Sequence, residues 1–398
     1  MASPIPIAPR TEAPPSLKYF MAIGCGVMVA NIYYCQPLLG AFARQFRVGE
    51  GEASLINILT QCGYGLGLFF IVPLGDKIPR RRMILWMHGA ACLSLLGAGL
   101  SGKLWVFASL SLVIGMATTA CQVFLPFAAH LSRDDERGRV IGIIMGGLLA
   151  GILASRTLSG LVAQYFGWRV VYFFAAALMA CMGWLFFRIL PGESPAFRGS
   201  YGALMRSLGV LARQHPVVRQ SAVIGAALFG AISAFWATMA FFLEAPPFRY
   251  SLSVIGLFGL VGAGGALSAP LIGKIIDRGN PLRTIRWGSL VIILGYAVLW
   301  AGQSGVAWVI AGVILLDLGL QAAHIPNMAR NYALLPEART RINTIYMTSF
   351  FIGGTLGSTL GSVAWDGLGW KGVCGTGLAL SGLGLAAAWF RFSNKSKK

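Results

Sequence analysis

Apolar residues run through this chain in blocks about as long as a bilayer is thick, and short polar stretches separate them. A membrane-crossing helix needs about 20 predominantly apolar residues. Blocks of that kind span 18–45, 53–74, 83–101, 104–131, 140–163, 169–189, 219–245, 252–273, 285–302, 305–330, 341–364 and 371–391. The pattern predicts an all-α integral membrane protein with about twelve transmembrane helices, several long enough to tilt. Composition agrees: 56% of residues are hydrophobic and 11% charged, against about 25% charged in soluble domains. The opening "MASPIPIAPRTEAPPSLK" is Pro-rich and lacks an apolar core, so residues 1–17 read as a disordered tail and not as a signal peptide.

Polar segments also carry topology. The net charge is +19, which in a soluble chain would suggest nucleic acid. Here the charges sort by side. With the N-terminus inside, 25 Lys and Arg residues fall on the cytoplasmic side and six on the outer side (Arg44, Arg47, Lys103, Arg169, Arg249, Lys371), leaving only Arg156 within a span. This is the positive-inside pattern, so both termini are expected in the cytoplasm and no nucleic-acid partner is implied. All seven cysteines sit inside apolar spans without CxxC spacing and read as packing residues. Trp86, Trp105, Trp168, Trp287, Trp308, Trp365, Trp370 and Trp389 fall near span ends as an aromatic belt, whereas Trp236 falls mid-span.

The chain repeats itself at half length. Asp76 in "GDKIPRRRM" pairs with Asp277 in "GKIIDRGNPLR" at a shift of 201, Arg137 with Arg339 at 202, and Trp168 in "FGWRVV" with Trp370 in "LGWKGV" at 202. Two pseudo-symmetric six-helix bundles, 18–189 and 219–391, are therefore expected. An amphipathic cytoplasmic linker at 190–218 joins them, and a basic tail follows at 392–398. Parallel duplications of this kind build secondary transporters.

"VPLGDKIPRR" (72–81) and "GKIIDRG" (273–279) resemble the doubled loop signature of the major facilitator superfamily, with Lys77, Val72 and Pro79 departing from its pattern. "ANIYYCQPLLGAFARQF" (30–46) and "GLQAAHIPNMARNYALLPEARTRINTIYM" (319–347) are similar to a bacterial subgroup of drug- or metabolite-efflux-like permeases. The resemblance covers essentially the whole chain. It implies two bundles around a central cavity, alternating access, a monomer in the bacterial cytoplasmic (inner) membrane, protons and a small-molecule substrate as partners, and no cofactor. In one respect the chain departs from the family's antiporters: Ile152 follows Gly151 where they usually carry a Gly-Pro pair. Small-residue rows at Gly142, Gly146, Gly147, Gly151 and Ser155, and at Gly353, Gly357 and Gly361, fit contacts between the halves.

Few polar residues lie within the spans, and each needs a partner or a role. Arg156 lies roughly 24 Å into the fifth helix. A charge there costs roughly 2.5 to more than 10 kcal/mol. It is an anion clamp for substrate, the partner of a buried acid, or a snorkelling side chain. Asp317, Gln321, His324 and Met328 share one face of the tenth helix. Asp317 reads as a proton-coupling carboxylate or a structural partner. His324 is titratable, and with no Cys, Asp or Glu at ligand spacing no metal is expected. Gln122, 202 residues before His324, marks the same depth in the fourth helix. Tyr33 and Tyr34 map to Phe235 and Trp236. Asn31, Tyr34, Gln61, Gln122, Trp236, Gln321, His324 and Arg156 form the candidate substrate set, with helix–helix hydrogen bonding as the alternative for the amides. Asp317, His324 and Glu244 are the candidate coupling groups, because the first helix holds no acid; Glu244 reads equally as a solvated residue at the mouth. Asp76, Arg80, Arg81, Asp277 and Arg278 read as gating and capping contacts. Pro37, Pro126 and Pro326 are expected kinks. No G-x-x-x-x-G-K-[ST], H-E-x-x-H or G-x-S-x-G occurs, which argues against an ATPase or an intramembrane enzyme. The short tail argues against a sensor with an output domain. Proton-coupled efflux is the leading expectation, and import of an organic anion the alternative.

Overall fold

The computed structural model describes residues 16–132, 136–192, 200–262, 280–302, 305–335 and 338–390. The apolar helices are α1 (Leu17–Phe46), α2 (Glu50–Gly75), α3 (Arg80–Leu100), α4 (Leu104–Ala128), α5 (Arg139–Phe166), α6 (Trp168–Ile189), α7 (Pro216–Glu244), the shorter α8 (Leu252–Val261), α9 (Pro281–Ala301) and α10 (Val306–Leu334). The helix Arg339–Trp389 is broken at Gly369 (φ 58°) into α11 (339–368) and α12 (370–389). Ten of these segments are long and apolar enough to cross a membrane, counting α11 and α12 as one. The remainder of the eighth predicted span, 263–273, lies outside the described residues.

Local sequence sets the irregularities. Pro37 cannot donate a backbone hydrogen bond, and α1 passes through a 3₁₀ turn at Gln36–Leu38 before continuing as Leu39–Phe46. Pro126 lies within Cys121–Leu131, just after α4 is interrupted at 119–120. Pro326 sits inside α10, which runs through it as one helix. The linker carries a helix at Tyr201–Gln214 whose N-cap Ser200 accepts from the Ala203 N–H. It buries Leu204, Leu208 and Leu211 along one face, and the Tyr201 hydroxyl donates to the Phe70 carbonyl (2.8 Å); residues 193–199 of the linker lie outside the described residues.

Two expectations are corrected. The glycine rows do not join the halves. A Cβ at Gly147 or Gly151 would strike the carbonyls of Ala22 and Gly26 in α1, and one at Gly353 or Gly357 those of Ala226 and Gly230 in α7. Glycine there lets two backbones touch within each half. Gly142 and Gly146 face open space. Second, Trp168 and Trp370 are not belt residues. They are 7% and 6% exposed, stacked on Phe107 and on Phe242 respectively, while Trp86, Trp105, Trp287, Trp308 and Trp389 are exposed as a belt requires.

The helix ends define two sides: a basic side, which carries the ends of the described chain (Leu17 and Phe390), and a far side. The halves meet through two seams. In one, α5 crosses α8, with Gly160 against Gly256 and the Thr157 hydroxyl donating to the Gly256 carbonyl (3.1 Å). In the other, α2 crosses α11. Ser358 Oγ takes hydrogen bonds from Gln61 Nε2 (2.9 Å) and Asn57 Nδ2 (3.3 Å), and Ser233 of α7 donates to Gln61 Oε1 (3.2 Å). At the far-side rim Arg44 pairs with Glu244, and the Trp365 indole donates to Glu50.

Candidate functional site

A cavity of about 570 Å³ lies between the halves, within the range of small-molecule sites. Its lining runs from Arg156 and Trp236, beneath the far-side seams, to Met145, Ala329 and Asn343 near the basic ends of α5, α10 and α11. The cavity is therefore closed toward the far side and extends toward the basic side. Leu, Ile, Met and Phe side chains make most of its wall.

Arg156 is the organising charge. It is 6% exposed. Its Nε donates to Gln36 Oε1 at 2.7 Å, which the 3₁₀ turn of α1 brings to that position. Its guanidinium lies over the rings of Trp236 (4.0 Å to the centroid) and Tyr33 (4.6 Å). Stacking on an indole is worth about 2 kcal/mol or more once water is excluded. Two rings and an amide carbonyl thus hold the charge in place of a carboxylate. Among the described residues no acid lies within 4.0 Å of it. The expected ion-pair partner is not present at contact distance, and the side chain does not snorkel. Glycine gives it room: a Cβ at Gly259 of α8 would lie 2.7 Å from the Arg156 Cβ.

One turn further along α8, Gly262 stands against the Asp317 carboxylate in the same way. Asp317 is half-buried, lines the cavity, and accepts no hydrogen bond among the described residues. Gln321 and His324 follow it along the cavity wall. His324 Nδ1 lies 2.8 Å from the Tyr346 hydroxyl and its ring packs on Phe350. Gln122 lines the cavity with its amide donating to the Tyr64 hydroxyl (2.9 Å), and the Tyr64 ring packs at a tilt on Phe351 across the halves, centroids 4.2 Å apart.

Other candidates fall elsewhere. Asn31 points away from the cavity, into α6, where its amide meets the Met179 sulfur at 3.4 Å. Tyr34 is buried and does not line the cavity; its neighbour Tyr33 does. Gln61 reaches the lining, but both ends of its amide are engaged by Ser358 and Ser233. Glu244 is held at the far-side rim by Arg44 and does not line the cavity. Arg81 caps α6 by donating to the Phe187 carbonyl (2.6 Å), and Arg80 opens α3. Asp277 and Arg278, and the side chain of Asp76, lie outside the described residues. Gln36 and Tyr33 stand in the stretch before Pro37 that supplied Asn31 and Tyr34, but neither was taken into the candidate set. Gln36 carried a signal, being a buried amide beside a proline one helix away from a lone arginine.

The chain is 40% identical to the uncharacterized transporter YgaY of Escherichia coli O157:H7, over 96% of this chain and 98% of that one. It is 24% identical to the inner membrane transport protein YnfM of Escherichia coli K12, over 92% and 88%. Two solved structures share the fold. One is a peptide transporter, POT, bound to alafosfalin (TM-score 0.74, 12% identity, 94% of each chain). The other is a bacterial homolog of the human lysosomal transporter Spinster, inward-facing and unoccupied (TM-score 0.70, 15% identity, 94% of each chain). The family model of the Major Facilitator Superfamily matches residues 21–334. With helices of membrane-spanning length packed around a charged cavity, the chain belongs to that superfamily of multi-pass, non-enzymatic membrane transporters.

Proposed function

We propose that this transporter moves a small organic solute carrying a negative group out of the cell in exchange for protons, across the bacterial cytoplasmic membrane. The halves 18–189 and 219–391 rock about the central cavity. The charge asymmetry of the loops favours a cytoplasmic basic side with both termini inside, and in this reading the described form is open inward. One observation carries the anion reading: Arg156 is buried in the cavity, braced by Gln36, Tyr33 and Trp236, with no carboxylate at contact distance among the described residues. The Asp317 carboxylate attracts Arg156 only from beyond contact distance; a buried charge is costly without a close partner, and an anionic ligand would supply one. Trp236, Gln122, Gln321 and His324 offer further polar and aromatic contacts around the solute. Asp317 is the proton carrier in this reading, because it is the acid that reaches the cavity among the described residues.

Import of an organic anion is the second reading, favoured by Ile152 standing where the family's antiporters usually have proline. Comparing metabolites in cells and medium, for strains expressing wild type or Arg156→Ala at equal levels, separates the two. Anions enriched in the medium only with wild type support export. Enrichment in the cells supports import. Equal profiles for the two strains remove Arg156 from substrate binding.

A further inference from the structure

The acid and the base in the cavity face one strip of α8. Gly259 abuts the stem of Arg156 and Gly262 abuts the carboxylate of Asp317. Three residues of helix separate these points by about 4.5 Å. Yet the two charges do not form an ion pair: no guanidinium nitrogen is within 4.0 Å of a carboxylate oxygen. The bracing explains why. Gln36 holds Nε, and the Trp236 and Tyr33 rings both lie against the guanidinium. These contacts fix the fork on the α1–α7 side of the cavity and leave its terminal nitrogens without a hydrogen-bond partner among the described residues, though they are not sealed from the cavity. Asp317 likewise presents an unpartnered carboxylate from α10.

We infer that the solute is an α-amino-acid-type zwitterion with an apolar side chain, its carboxylate on the free edge of Arg156 and its ammonium on Asp317. An α-amino acid carries its opposite charges on one carbon, which suits an acid and a guanidinium that line one cavity and rest on neighbouring turns of α8 without pairing. A planar carboxylate matches the two parallel donors of a guanidinium edge. The remaining wall, including Met145, Leu148, Leu149, Leu320, Met347 and Phe351, offers an apolar bed for the side chain and, among the described residues, no third charge to read. The inference rests on the anion reading of Arg156 and adds the second charge. It also gives the exchange a physical basis: a proton on Asp317 removes the ammonium's partner, so proton and solute exclude one another.

The test uses the full chain in nanodiscs and three probes: L-phenylalanine, N-acetyl-L-phenylalanine and L-phenylalaninamide. Binding is read by isothermal titration calorimetry. Phenylalanine should bind about ten- to hundredfold more tightly than either singly charged derivative, the loss expected when a buried charge goes unpaired. Asp317→Asn should bring phenylalanine and its N-acetyl derivative within about twofold of each other. If the N-acetyl derivative binds wild type as tightly as phenylalanine, the zwitterion is wrong and the anion reading of Arg156 survives. If the amide binds as tightly, both fail. Failure of all three probes to bind overturns the apolar amino-acid class. The wild-type series needs no variant to fold.

Discussion

Ser358 stands 202 positions after Arg156, and Gly259 stands 202 after Asn57. The α5–α8 seam and the α2–α11 seam are thus two copies of one contact, with size and polarity exchanged. In the first, a long cationic side chain lies on glycine. In the second, a short hydroxyl receives two amides. Duplication kept the volume of the contact and moved the charge to one copy. The glycine seam closes by backbone contact and sends its arginine into the cavity. The amide seam closes by hydrogen bonds and leaves no charge behind. Both must part when the far side opens, and they should respond to different insults.

The largest effect is expected from Gly259→Leu. A side chain there meets the Arg156 stem, and overpacking of this kind costs about 1–3 kcal/mol. The far-closed form should lose about 5- to 100-fold in population. Labelling of a cysteine at Ser362, buried in α11 one turn beyond Ser358, by an impermeant maleimide reads that opening in a cysteine-free background. Unchanged labelling would mean that the α5–α8 contact does not hold the seal. Gln61→Leu comes next. It removes two hydrogen bonds across the halves, each worth about 0.6 kcal/mol within a membrane, for a rise of about 3- to 10-fold in the same labelling. Combined with Ser358→Ala it should add little, and full additivity would show that the two side chains act separately. Arg44→Ala should do least. Its side chain is 63% exposed, and exposed pairs contribute about 0–1 kcal/mol. Less than about fivefold is expected, fading as salt rises; a larger change would place the seal at the rim.

The helices were largely legible from apolar blocks, and the side-sorting of Lys and Arg marked the polar loops between them. Arg156, Asp317, Gln321 and His324 stood out because a polar group among Leu and Gly has few explanations. Rotation about the helix axis was not legible. A helix that is apolar all round gives no periodic signal of which face meets which neighbour, so Tyr34 and Asn31 were chosen where Tyr33 lines the cavity. The local break at Gln36–Leu38 shifts the facing again. The same blindness hid the engagement of Gln61 by Ser358, because a hydrogen bond spanning nearly 300 residues leaves no trace in local spacing. The glycine rows were visible, but nothing in their spacing told α1–α5 contact from contact between halves.

Gly167 and Gly369, again 202 positions apart, carry positive φ values of 82° and 58° at the far-side corners between α5 and α6 and between α11 and α12. Such backbone favours glycine, and a one-residue corner leaves no slack between the helices it joins. One helix of each seam, α5 or α11, is therefore geared to an outer neighbour. A fluorophore or spin label on Phe174 or Leu383, both exposed, would ride with α5 or α11 without entering the cavity. Movement at the heart of the carrier could then be followed by spectroscopy from its rim.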